Sequence, residues 1–260
     1  MLLRGNKRSQ RKEKNSIVCY HGEVKKYDYL LIDADETILD FHGAEIRAFA
    51  AIMKLAGIPE SESVYALYKK INRQMWSEVE RGERSVKEIV EGQRFARLFE
   101  ELKVDCSYQQ ANEIFLEVIC NCDLVVDHAL KVVETLAKTS KLYCITNGFI
   151  RTQTSRLQAT GLDKYFSGIF ISEAVGFEKP QFEFFEHVLK TAEISDLSRV
   201  LVIGDSLNAD MQGGINCGLS TCWYNPGGLA NDKGLAIDYQ IKDLREIPDI
   251  AGSDKEEGVL

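Results

Sequence analysis

Five short apolar runs constrain this chain most: Tyr29–Asp33, Leu142–Thr146, Gly168–Ser172, Val200–Gly204 and Thr221–Tyr224. Each is continuous rather than alternating, the pattern of a strand covered on both faces in a parallel sheet. Helical segments lie between them, at Ala129–Ser140, Thr152–Thr160, Phe182–Thr191 and Asp210–Cys217. Strand and helix in alternation predict an α/β fold with helices covering the sheet and right-handed crossovers.

Residues 43–124 interrupt the alternation, with no convincing strand. Four helices fit there, about Ala44–Ala56, Ser61–Glu80, Ser85–Leu102 and Ser107–Cys120, with apolar residues such as Ile89, Phe95, Leu98, Phe99 and Leu102 at helical spacing. The pattern predicts an all-helical cap, 43–124, inserted after the first strand of a core formed by 27–42 and 125–250. The chain crosses between the two near Phe41 and Val125. Such a layer over a sheet edge can close a site against water.

The net charge is −8, which argues against broad affinity for nucleic acid or an acidic membrane. Residues 1–26 hold eight Lys/Arg and two Glu, a local +6 against −14 for the rest. This leader has no apolar segment after its charges, so it reads as a disordered tail rather than a secretory signal; 251–260 reads as a frayed end. No apolar stretch approaches the roughly 20 residues of a membrane helix. The seven cysteines form no zinc-like double pair and read as reduced thiols of a cytoplasmic protein, monomer or homodimer. The four histidines lack ligand spacing and read as structural or exposed.

Polar clusters follow four of the proposed strands, at the end where open α/β sheets bind ligands. They are Asp33 and Asp35; Thr146-Asn147-Gly148; Lys179-Pro180; and Gly204-Asp205 with Asp210. Each type has a task if the ligand is a phosphate monoester. A carboxylate can attack phosphorus. A second carboxyl can protonate the leaving oxygen and then activate water. Mg²⁺ reconciles crowded carboxylates with a phosphate dianion. Lys179, the Thr146 hydroxyl and backbone N–H groups of the glycine turn can hold the phosphoryl oxygens.

With these stretches, Gly161-Leu162 with Tyr165-Phe166, Ser172-Glu173 through Gly176-Phe177-Glu178-Lys179-Pro180, and Gly204-Asp205-Ser206 through Gly218, the chain resembles a haloacid-dehalogenase-superfamily phosphatase. The resemblance covers about Tyr27 to Ile247 and implies a Rossmann-like, doubly wound parallel sheet with a helical cap. It implies Asp33 as nucleophile, Asp35 as general acid and base, and Thr146, Asn147, Gly148 and Lys179 as the phosphoryl-binding group. Mg²⁺ would be held by the Asp33 side chain, the Asp35 carbonyl and Asp205, with Asp210 orienting Lys179 or a metal-bound water. Asp-Ala-Asp-Glu-Thr at 33–37, Ile71-Asn72, Trp76, Glu80, Gly82, Glu83 and Thr221-Cys222-Trp223 further resemble pyrimidine 5′-nucleotidases. That group implies a nucleoside monophosphate substrate. Ile32 departs from the Phe common before the nucleophile, a conservative apolar change.

Alternative readings are a phosphatase of sugar phosphates or other small esters, a 2-haloacid dehalogenase, and a phosphate-binding protein without catalysis. Metal-independent dehalogenation leaves Asp35, Asp205 and Asp210 without a task. In the cap, Trp76 reads as packing, and Arg84 and Arg94 as solvated.

Overall fold

The computed structural model describes residues 27–252 apart from 82, 84–87 and 90. The expected leader, most of the expected tail, and Arg84 lie outside the described residues. Six parallel strands form one sheet among the described residues: β1 (Tyr29–Asp33), β2 (Lys141–Thr146), β3 (Phe166–Ile171), β4 (Val200–Gly204), β5 (Ser220–Tyr224) and β6 (Tyr239–Ile241). Their order is β3-β2-β1-β4-β5-β6. Chain progression reverses between β1 and β4, which opens the ligand crevice of a doubly wound sheet at their carboxyl ends. Asp33 pairs in register with Ile145, and Ile32 with Ile203. Asp33, Thr146 and Gly204 therefore finish at one edge.

The continuous apolar runs are explained by two-sided burial. Leu30 and Ile32 of β1 join a cluster with Val132, Val133, Leu136 and Leu157 on one face. Leu31, between them, joins Phe184, Phe185 and Val188 on the other. Leu30 and Leu31 are wholly buried and Ile32 nearly so, each contributing about 1.5–3 kcal/mol by transfer from water.

Between β1 and β2 lie the helices Phe41–Ala56, Glu62–Glu80, Gln93–Leu102 and Tyr108–Cys120, which share an apolar cluster of their own around Phe49, Ile52, Tyr68, Phe95 and Phe115. Asp40 caps the first by accepting from the Gly43 amide at 2.7 Å, and Gly57 ends it with φ 65. Ser107 caps the last through the Gln110 amide. The entering and leaving chains meet, with Asp40 N donating to Leu124 O and Val126 N to Ile38 O.

Three departures from the sequence expectation have local causes. The third of these helices runs from Gln93, because Gly92 at φ 89 breaks the expected helix, whose start at Ser85 lies outside the described residues. The segment expected as the helix Asp210–Cys217 is a π turn, Leu207–Met211, followed by the helix Gln212–Asn216. Strand β6 escaped the apolar-run criterion because it has three residues and its central Gln240 is exposed at the sheet edge.

Candidate active site

All eight residues singled out from the sequence line one cavity of about 740 Å³. That volume is in the usual range for small-molecule sites. The strand ends place them. Asp33 is the last residue of β1, Thr146 of β2, and Asp205 follows Gly204 of β4. Lys179 arrives on the loop after the short helix Ser172–Val175.

Lys179 is the hub. Its Nζ donates to Asp33 Oδ1 at 2.6 Å, Asp210 Oδ1 at 2.7 Å and Ile145 O at 2.9 Å, so all three ammonium protons have acceptors. Burial alone pulls its pKa down, but Asp210 and Asp33 outweigh that and hold the ammonium above its ordinary value. Asn147 secures the loop carrying this lysine: its amide donates to Lys179 O and accepts from Lys179 N, both at 2.8 Å. The Asn147 side chain thus ties two loops together. The Thr146 hydroxyl accepts from the Gly148 amide at 3.1 Å.

Opposite the lysine, carboxylates crowd. Oxygens of Asp33, Asp205 and Asp210 lie within 4.8 Å of one another. Burial, then Asp33 and Asp210, push the Asp205 carboxyl up to about 8. Asp210 is fully buried, with Oδ1 on Lys179 and Oδ2 accepting from the Ser206 amide at 3.1 Å. Burial raises its pKa and Lys179 opposes the rise. A side chain at Gly204 would collide with Asp210, so glycine there makes room for this arrangement. One lysine among three carboxylates leaves an excess of negative charge. Hard oxygen donors at this spacing suit a small divalent cation.

A pH effect follows. The folded-state pKa of Asp205 lies above its ordinary value of 3.8. The folded state therefore binds the extra proton, and this contribution is full at low pH and lost as pH rises through about 8. In EDTA the melting temperature should fall between about pH 5 and about pH 8, and added Mg²⁺ should raise it more at the upper end. Differential scanning fluorimetry at both pH values checks this; an equal Mg²⁺ effect at both would contradict it.

Asp35 stands apart from the lysine. Its Oδ1 accepts from Arg156 Nη1 and its Oδ2 from Gln153 Nε2. Burial raises its pKa, with Arg156 opposing and Asp33 adding to the rise. Neither Gln153 nor Arg156 was singled out from the sequence. Both lie three residues apart on the helix Ile150–Thr160, directly after the Thr146-Asn147-Gly148 turn, a spacing that puts them on one helical face.

The far wall of the cavity belongs to 43–124 and includes Asn72, Trp76, Ile89, Arg94, Phe115 and Ile119. Trp76 packs against the helical cluster, as expected, and also lines the cavity. Arg94 is not solvated: it is buried, its guanidinium carbon 4.4 Å from the Phe115 ring centre and 5.0 Å from that of Phe95. Nη1 donates to Asn72 Oδ1 at 3.4 Å, whereas Nε has no hydrogen-bond partner among the described residues. No helix among the described residues is long and apolar enough to cross a membrane.

Comparison with known proteins gives this geometry a lineage. Residues 27–218 match the family model of haloacid dehalogenase-like hydrolases. The chain is 35% identical over 224 residues to the HAD-hydrolase YfnB of Bacillus subtilis, covering 86% of this chain and 95% of that protein. A crystal structure of YfnB bound to magnesium superposes with a TM-score of 0.80 over 87% of this chain and 99% of that one. The pyrimidine 5′-nucleotidase PynA of Streptococcus pneumoniae is 32% identical over 86% of this chain and 94% of its own. The pyrimidine 5′-nucleotidase YjjG of Escherichia coli is 31% identical over 85% and 96%. The chain belongs to the haloacid dehalogenase-like hydrolases.

Proposed function

We propose that this hydrolase is a Mg²⁺-dependent phosphatase that removes phosphate from nucleoside 5′-monophosphates, pyrimidine nucleotides preferred. One observation carries the proposal. Asp33, Thr146, Lys179 and Asp205 line one end of the cavity, and the other end offers aromatic rings with a buried arginine that donates to a half-buried asparagine. The first end suits a phosphate and the second a flat polar base. The similarity to the two pyrimidine 5′-nucleotidases supports the same assignment.

Asp33 Oδ attacks phosphorus in line with the ester oxygen. As the P–O bond to the nucleoside breaks, Asp35 gives its proton to the departing oxygen, which leaves as the alcohol. Asp35, now a carboxylate, takes a proton from water as the water oxygen attacks phosphorus. The Asp33–phosphoryl bond breaks, and phosphate and free Asp33 return. Lys179, giving up its bond to Asp33 Oδ1 as Asp33 engages phosphorus, and the Thr146 hydroxyl hold phosphoryl oxygens. The Asp33 and Asp205 carboxylates and the Asp35 carbonyl would hold Mg²⁺, which neutralises phosphate charge when bound. Asp210 holds Lys179 in position rather than contacting the ester.

A phosphate-release screen of nucleoside monophosphates and sugar phosphates with Mg²⁺ tests the substrate. Pyrimidine monophosphates should give the highest kcat/KM; a clear preference for a sugar phosphate would overturn the nucleotide assignment. Arg94→Met should raise KM for the preferred nucleotide by about tenfold, because a donor facing a base edge is lost from a buried wall. The kinetics of p-nitrophenyl phosphate, which has no base, should change by less than about twofold.

A further inference from the structure

We propose that Gln153 and Arg156 are positioning residues forming a two-donor cradle that aims the Asp35 carboxyl at the leaving oxygen. This inference rests on the phosphatase reading above. Four observations carry it. Both side chains are 1% exposed, and each delivers one N–H to a different oxygen of Asp35. One donor per oxygen, from two residues on one rigid helix, fixes both the location and the rotation of a carboxyl group.

Second, Gln153 Nε2 also donates to the Thr146 hydroxyl at 2.9 Å. The group that moves the proton and a group that holds the phosphoryl are thereby set against each other through one side chain. Third, the space for Gln153 is made by Gly148, where any Cβ would collide with the Gln153 amide. The glycine of the Thr-Asn-Gly turn thus admits the cradle as well as shaping the loop.

Fourth, the arrangement is a poor way to gain stability alone. Arg156 Nε and Nη2 and Gln153 Oε1 are buried with no hydrogen-bond partner among the described residues, and the guanidinium carbon lies 5.5 Å from the centre of the Phe41 ring. A buried, incompletely paired arginine is often less stable than an apolar side chain of similar volume. A role in orienting Asp35 accounts for keeping it.

The test uses kcat/KM, which reports the first chemical step, on two esters. One is a nucleoside 5′-monophosphate, an alkyl ester whose alkoxide must be protonated as it leaves. The other is p-nitrophenyl phosphate, whose phenolate leaves without help. Arg156→Met should lower kcat/KM for the alkyl ester about 100-fold and for p-nitrophenyl phosphate by less than about tenfold. Arg156→Lys should recover part of the loss. Placed in an Asp35→Asn background, Arg156→Met should change the alkyl-ester value by less than about twofold, because the group it positions is gone. If Arg156→Met does not fold, Gln153→Leu carries the same comparison. Equal losses on both esters, or a full loss in the Asp35→Asn background, would overturn the cradle. A wild type that releases phosphate from neither ester would instead overturn the phosphatase reading.

Discussion

Asp33→Asn should lower kcat by at least about 10⁴-fold and at the same time raise the melting temperature of the cation-free protein. The loss of turnover follows from replacing the carboxylate proposed as nucleophile by an amide that cannot form the proposed phosphoryl intermediate. The gain in stability follows from electrostatics. Asp33 raises the pKa of both Asp205 and Asp210, so its charge is unfavourable to each. The amide oxygen can still accept from Lys179, which also keeps Asp210 and Ile145 O as acceptors. Thr37 Oγ1, which now donates to Asp33 Oδ2 at 3.1 Å, can rotate to accept instead. Mg²⁺ should then raise the melting temperature less than in the wild type. Thermal melts with EDTA and with Mg²⁺, beside phosphate release, check both halves. A destabilised variant would contradict the claim that the acids are crowded at the expense of the fold.

Lys179→Met should damage stability and activity together. The lysine is the cation shared by Asp33 and Asp210, and all three side chains are buried. Removing one partner of such a group strands the charges left behind, a loss of about 3–5 kcal/mol. Lowering pH should offset part of this loss, because protonating the stranded acids removes their repulsion. Mg²⁺ should restore part of the stability as well. Neither should restore activity, since the donor proposed for the phosphoryl group is missing; a fall of about 10²–10³-fold or more in kcat is expected. Urea denaturation at pH 5 and pH 8 with paired kinetics measures this. Wild-type stability in the variant would show that the acids are compensated elsewhere.

These effects differ in how far the sequence announced them. The buried strands were legible because two-sided burial leaves an unbroken apolar run, as in Leu30-Leu31-Ile32, whose neighbours fall on opposite faces. The residues at strand ends were legible because a carboxylate or lysine after such a run is conspicuous. Gln153 and Arg156 were not, because polar residues at three-residue spacing look like the solvated face of any helix. Their burial depends on Asp35, more than a hundred positions away. Arg94 misled for the same reason: its environment is made by Phe95 beside it and Phe115 on another helix.

The central claim is that phosphate passes through Asp33 and is not attacked by water directly. A thiophosphate ester carrying two oxygen isotopes and one sulfur on phosphorus, hydrolysed in water of the third oxygen isotope, distinguishes the two routes. Each in-line displacement inverts phosphorus, so transfer to Asp33 followed by transfer to water predicts overall retention of configuration. Overall inversion in the released thiophosphate would mean a single attack by water and would contradict the role assigned to Asp33.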